Sequence, residues 1–304
     1  MDIFSIDRRN EHAISAASNE ARLRILSWQD AAPYCVALLF GIALVRHTLT
    51  SWWWAYTQHE SYYSHAILIP FMIGFMLWSH RERILRLPMK PVFPALGVLA
   101  ATSFLQVYAA RLDMEAIKSL SLLLMIWSAV WFVFGTAFVR SEFVPLLFLF
   151  YMAPLPGPLL NDATHGIQQW STTGASRLLG HIGFDNMLAG YEIQMENYTL
   201  FVDVPCSGFK TLLALVTFNT FFAYMLDGSA AKRIALFLAA MPLALVINIL
   251  RISLIAIVGE SISDQAAHVF HDYSGLITLL LGFAFIFGLA RLFGCRKFAG
   301  LAIF

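Results

Sequence analysis

Residues 241–258 read MPLALVINILRISLIAIV: a near-continuous apolar run holding one charge, Arg251. A spanning helix needs roughly 20 apolar residues, and the apolar stretch around this run extends over about 234–258. Seven more runs of the same kind lie at about 31–50, 63–79, 93–111, 117–138, 143–160, 206–226 and 273–293. The 304-residue chain is 59% hydrophobic and 13% charged, with a mean hydropathy of +0.68. Soluble domains carry about 25% charged residues, so this composition leaves too little polar surface to cover a soluble core. The pattern predicts an all-α integral membrane protein, an eight-helix transmembrane bundle. The fifth run ends in MAPLPGPL, whose prolines predict a break.

Eight spans put both termini on one side, and Lys and Arg say which. With the N-terminus in the cytoplasm, inside segments hold 14 of the 20 basic residues, among them Arg81, Arg83, Arg86, Lys90, Lys232 and Arg233. Arg46, Arg111, Lys118 and Arg177 fall outside, and Lys210 and Arg251 fall within spans. That bias satisfies the positive-inside rule. The predicted outer loop SWWWAYTQHESYY (51–63) has no Lys or Arg and is rich in Trp and Tyr, as an interfacial belt is.

Residues 1–30 lack the apolar core of a cleavable signal peptide. They read as a cytoplasmic N-terminal segment, with interfacial amphipathic character as one option. Residues 31–304 read as a single transmembrane domain. Its longest connection, about 161–205, is expected outside. The second half, GYEIQMENYTLFVDV (190–204), alternates apolar and polar residues around Glu-Asn, which predicts a small outer-face β-hairpin.

That hairpin feeds into VDVPCSGFKTLLALVTF (202–218). Cys206 there stands at the start of the sixth span, behind Pro205, which suits a first helical turn. Unpaired amides and the helix dipole at such an end favour a thiolate. Gly208 allows close approach of another backbone or a substrate. A small buried packing thiol is the alternative.

Arg251 falls in the outer part of the seventh span, where a charge costs up to roughly 2.5–3.5 kcal/mol. Asn248, three residues earlier, shares its face. Snorkelling to outer headgroups would also account for the arginine, but it runs against the charge bias. The eighth span opens with AHVFHDYSGL, bringing His268, His271 and Asp272 to the same face of the membrane. Thiol, guanidinium and imidazole together are the equipment of acyl transfer. Lys210, one turn after Cys206, would lower the thiol's pKa or snorkel. His65 heads the second span, also outside. Asp113, Glu115 and Glu260 read as solvated carboxylates. Cys35 and Cys295 read as packing or palmitoylatable thiols. The three cysteines show no CxxC or metal spacing, so no metal, cofactor or disulfide framework is expected, and no nucleic acid.

These pieces resemble the exosortase/archaeosortase family of membrane-embedded cysteine transpeptidases. The resemblance rests on PCSGFKTL (205–212), NILRIS (248–253) and FHDYSG (270–275), with YSHAILIPFMIGFMLW (63–78) and MAPLPGPLLN (152–161) in support. It implies Cys206 as nucleophile, Arg251 as the family's arginine and His271 as the third catalytic residue, with Ser207 and Gly208 inside the cysteine motif. His271, not His268, precedes the Asp-Tyr-Ser-Gly run. Ala66 stands where many bacterial relatives have glycine. The implied substrates are secreted proteins ending in a short motif, often Pro-Glu-Pro, a spanning helix and a basic tail. Cleavage at the outer face of the bacterial inner membrane would pass through a thioester to an acceptor: a lipid, a glycan or water. Two other readings stand beside this one. A transporter or polysaccharide-assembly subunit would also carry intramembrane Arg and Asn. A plain cysteine protease would share the thioester and use water.

Overall fold

The computed structural model describes residues 28–58, 61–203, 208–295 and 297–302, with side chains from residue 41 to residue 300. Residues 1–27, expected to be cytoplasmic, therefore lie outside the described residues, as does the side chain of Cys35. Residues up to His47 and residues from Thr48 onward form two compact units, and helix α1 (Trp28–Thr57) contributes to both.

The second unit is mostly helical. A 3-10 turn (Ser64–Leu68) runs into α2 (Ile69–Ser79) and the short α3 (Arg81–Ile84). Then come α4 (Pro94–Arg111), α5 (Glu115–Ser141), α6 (Phe143–Phe148) with a 3-10 turn (Leu149–Met152), and α7 (Gly157–His181). After strands β1 (Met187–Ala189), β2 (Glu192–Gln194) and β3 (Thr199–Phe201) follow α8 (Phe209–Met225), α9 (Ala230–Ser261) and α10 (Asp264–Leu292). Strands β4 (Lys297–Phe298) and β5 (Leu301–Ala302) close the described chain.

Among the described residues, α5, α9 and α10 are each long and apolar enough to cross a membrane. The pair Phe143–Met152 and Gly157–His181, bent by 84°, makes a fourth if it counts as one span. Ser64–Ser79 and Phe209–Met225 are shorter apolar helices. The outside of α10 shows why water is the wrong solvent. Leu276, Leu280 and Phe285 face outward, while Ser274, Thr278, Gly282 and Ala290 are buried. Small residues inside and large apolar ones outside is how helices pack in lipid. A Cβ on Gly282 would come 2.9 Å from Leu215 Cδ1, so α10 and α8 meet closely there.

Buried polar contacts join other helices. Trp52 Nε1 donates to Ser119 Oγ at 2.8 Å, and Gln106 Nε2 donates to Thr48 Oγ1 at 2.5 Å. The helix break falls at Ala153–Pro156, as the prolines predict. Tyr56 Oη donates to the Met152 carbonyl at 2.5 Å, and Leu155 N donates to Tyr63 Oη at 3.0 Å.

Three expectations need correction. First, the segment 161–205 is not loop in its first half but belongs to α7. Its buried face is Thr164, Gln168, Ser171, Thr172, Ala175 and Leu179. The helical spacing is there, but polar and small residues carry it, so a hydropathy pattern misses it. Second, α1 continues through Thr57, so most of the expected 51–63 loop is helix, with Trp52 buried. Third, α5 is not uniformly helical: Gly135 has φ 85° and ψ 173°. A Cβ there would strike the carbonyl oxygen of Lys90, so glycine serves both conformation and packing.

The expected hairpin is β2–β3, joined through Met195–Tyr198, and β1 extends it to a three-stranded antiparallel sheet. Ile193 and Val202 bury against Ala175 and Leu179 of α7 and Ile252 and Ala256 of α9. At the sheet's tip, Asn197 N and Nδ2 donate to the Glu260 carboxylate at 2.9–3.2 Å. Glu260 is thus a clamp on the sheet, not a merely solvated acid.

The other end of α8 and α9 is differently built. Glu142, fully buried between α5 and α6, lies 2.7 Å from His80 Nδ1 and accepts from Arg83 at 2.7 Å. Burial works against its charge, but hydrogen bonds from His80, Ser141 and Arg83 outweigh that and hold the carboxyl below its ordinary range. Asp227 joins the C-terminal strands there, accepting from Lys297 N at 2.9 Å. Cys295 is buried at this end among Ala223, Leu226, Leu236 and Ala290, which is a packing role.

Candidate active site

At the end of the bundle that carries the three-stranded sheet, α8, α9 and α10 each present a polar residue. Gly208 caps α8 with φ 84° and ψ 0°, a left-handed conformation that glycine adopts at little cost. It is also pressed on Asn248 of α9: an added Cβ would lie 2.5 Å from Nδ2 and 2.6 Å from Oδ1. Two independent constraints therefore demand glycine. Together they fix the start of α8 against α9, one turn before Arg251.

Arg251 is buried, 9% exposed, and its guanidinium is held in place. Its Nε donates to Ser274 Oγ at 2.7 Å, and Nη2 approaches the His271 carbonyl at 3.5 Å. Ser274, 2% exposed, donates in turn to the same carbonyl at 2.8 Å. Ser274 thus links the arginine of α9 to the turn of α10 that carries His271. A buried charged donor with a short hydrogen bond is worth keeping: such bonds contribute about 1.5–3 kcal/mol. His271 itself is partly exposed, with Nδ1 3.4 Å from Asp272 Oδ1.

These groups open on one cavity of about 980 Å³. Arg251, His271 and Asp272 line it from α9 and α10, Lys210 from α8, and Ser64 and His65 from the 3-10 turn. His65 is buried, and its Nδ1 has no hydrogen-bond partner of good geometry among the described residues. The chemistry available is thus one buried, positioned guanidinium, one exposed ammonium, one solvent-accessible imidazole and one buried imidazole around a single carboxylate. Such a set stabilises negative charge and moves protons. Among the described residues no three His, Cys, Asp or Glu side chains gather as metal ligands.

Of the residues expected to form a site, the structure brings together Arg251, His271, Asp272, Lys210, His65, Asn248 and Gly208. Cys206 and Ser207 lie outside the described residues. His268 stands apart: it is exposed, with Nε2 3.6 Å from Asp264 Oδ1. It lines a smaller neighbouring cavity of about 180 Å³ together with His271, but not the one with Arg251. Sequence reasoning missed Ser274. The signal was its place three residues after His271, which puts both on one helical face.

Fold and site together define a helical integral membrane protein with a buried arginine and an accessible histidine converging on a cavity at one end. The family model described as transmembrane exosortase (Exosortase_EpsH) matches residues 52–288, and the chain belongs to that family. No curated protein and no solved structure gives a match.

Proposed function

We propose that this protein is a membrane cysteine transpeptidase that cleaves C-terminal sorting signals of secreted proteins and passes the new carboxyl end to an acceptor. The observation that supports this most is the arginine clamped by Ser274 at a cavity shared with His271 and Lys210. Cys206 is only two residues upstream of Gly208, which packs on Asn248 one turn from that arginine.

In this reading the Cys206 thiolate attacks the scissile carbonyl and forms a C–S bond. Arg251 faces the resulting oxyanion, where water is scarce and charge is poorly screened. His271 delivers the thiol's proton to the leaving amine as the C–N bond breaks, and a thioester remains. An acceptor nucleophile, in a lipid, a glycan or water, then gives its proton to His271, attacks the thioester and releases the thiolate. Lys210 lowers the thiol's pKa or binds an anionic part of the substrate.

The same reading takes the chain as eight spans in the bacterial inner membrane, with the sheet and cavity facing the periplasm. The charge bias supports that orientation, since Arg81, Arg83, Arg86, Lys232 and Arg233 all lie toward the opposite end. Its partners are secreted proteins ending in a short motif, often Pro-Glu-Pro, a spanning helix and a basic tail. A transport path would need polar groups along the bundle, whereas the catalytic candidates cluster at one end.

The test is nucleophilic trapping. Membranes containing the protein and such a substrate are incubated with hydroxylamine, which intercepts a thioester as a hydroxamate. The expected result is a hydroxamate at the substrate's new C-terminus with the wild-type protein. Continued cleavage with no hydroxamate would overturn the thioester path.

A further inference from the structure

The three-stranded sheet has an edge that no described strand covers. Its order is β1-β2-β3, so β3 is an edge strand. Val202 N donates to the Tyr191 carbonyl at 3.0 Å and Met195 N to the Tyr198 carbonyl at 2.9 Å. With the register Ile193↔Leu200 between them, Tyr198, Leu200 and Val202 turn their backbone groups toward β2. The alternation of an antiparallel ladder then turns the N–H of Thr199 and Phe201, and the Thr199 carbonyl, outward. The Phe201 carbonyl accepts from Asp203 N at 3.1 Å. Among the described residues no strand pairs with that outer edge.

The edge is held rigidly. The Tyr198 ring packs on Gly259 of α9 so closely that a Cβ there would overlap it. Asn197 is bound to Glu260, and Val202, 1% exposed, anchors the strand's far end, where Gln168 Nε2 donates to its carbonyl at 2.6 Å. Across from β3 stands the second cavity, of about 180 Å³. Leu200, Phe201, Val202 and Asp203 form one wall, and Ile252, Ile255, His268 and His271 form much of the other. His271 belongs to both cavities, so the edge of β3 leads to the proposed reaction site.

We propose that β3 is a docking strand: the substrate segment that precedes the spanning helix adds to its outer edge as a fourth strand and is thereby delivered to His271. This rests on the reading that the protein processes a peptide. The chemistry favours an extended peptide over other ligands. Outward N–H and C=O groups on a fixed strand are the complement of another backbone, and strand addition supplies affinity without reading side chains. A chain approaching a bilayer interface must also satisfy its own amides, and an edge strand does this. The small, largely apolar cavity then takes one side chain of the added strand, with the next pointing away.

Docking is measured apart from chemistry, on the full-length Cys206→Ala protein in lipid nanodiscs. The probe is a fluorescent synthetic peptide covering the sorting motif of a host protein and its upstream residues, and the readout is anisotropy. N-methylation is scanned along the peptide. Strand addition predicts a period of two: methylation of amides that face β3 weakens binding about tenfold, and of the intervening amides far less. Phe201→Pro removes an outward N–H without touching the ladder to β2, a substitution that edge strands tolerate. It is expected to bind about tenfold more weakly than Phe201→Ala, which loses the same side chain but keeps the N–H. A scan with no period of two overturns the proposal, whether or not the proline variant folds. If Cys206→Ala still cleaves the peptide, the thiol reading falls while the docking result stands.

Discussion

Ser274→Ala tests whether Arg251 works as a positioned donor or merely as a buried charge. The substitution removes the oxygen that accepts from Arg251 Nε at 2.7 Å and leaves the rest of α10 intact. Both groups are nearly inaccessible, so bulk water is a poor substitute. A hydrogen bond to a charged donor is worth about 1.5–3 kcal/mol. If all of that is expressed in the transition state, the rate falls roughly 10- to 150-fold. Because in the proposed mechanism the lost contact orients the group that faces the oxyanion, the fall is expected in kcat, with KM changed little. The assay is cleavage of a tripartite substrate in membranes, with protein levels matched by blot. The second arm is a double-mutant cycle with Arg251→Lys, which keeps the charge but loses the planar fork. On the Lys background, Ser274→Ala is expected to add less than about threefold, since the contact is already gone. Wild-type kcat for Ser274→Ala, or full additivity with Arg251→Lys, would refute the reasoning.

Three other predictions follow from the same geometry. His271→Ala is expected to stop processing and His268→Ala to reduce it only mildly, measured side by side, because of these two it is His271 that lines the cavity with Arg251; the reverse result would exchange their roles. Gly208→Ala is expected to lower the thermal midpoint in detergent, with about 1–2 kcal/mol arising from the left-handed backbone alone; adding Asn248→Ala relieves the overlap but not that cost, so rescue is partial. Glu142, whose folded carboxyl is held below its ordinary value, stabilises the fold above the unfolded pKa of about 4.3 and loses that contribution as pH falls through the lower folded value. Glu142→Gln is expected to cost about 1–3 kcal/mol at pH 7 and to flatten the acid limb of the stability profile.

The helices that lipid contact defines were legible in the sequence, because a spanning run needs no partner to be recognised. α9 and α10 lie where MPLALVINILRISLIAIV and AHVFHDYSGL put them, and the proline-rich MAPLPGPL breaks the chain as expected. The β2–β3 hairpin was legible from its alternation. α7 was not, since its buried face is made of Thr, Gln and Ser, which hydropathy reads as loop. The β4–β5 pair is too short to carry a pattern. Within the site, Arg251 was visible as a charge in an apolar run, which is costly without a reason, and His271 as an imidazole at the same end of the next span. Ser274 was hidden because a small hydroxyl in a membrane helix costs little and its value lies in a partner 23 residues away in the chain. Gly208 was noticed for its freedom, but its contact with Asn248 exists only in three dimensions.

The most direct measurement is processing of a tripartite substrate by Cys206→Ala and Cys206→Ser proteins in membranes, against wild type and Cys295→Ala at equal protein levels. Cys295 is buried at the opposite end of the bundle, so its loss serves as the control for removing a thiol. The account predicts no cleavage by either Cys206 variant and near-normal cleavage by Cys295→Ala. Cleavage by Cys206→Ala at a rate comparable to wild type would contradict it.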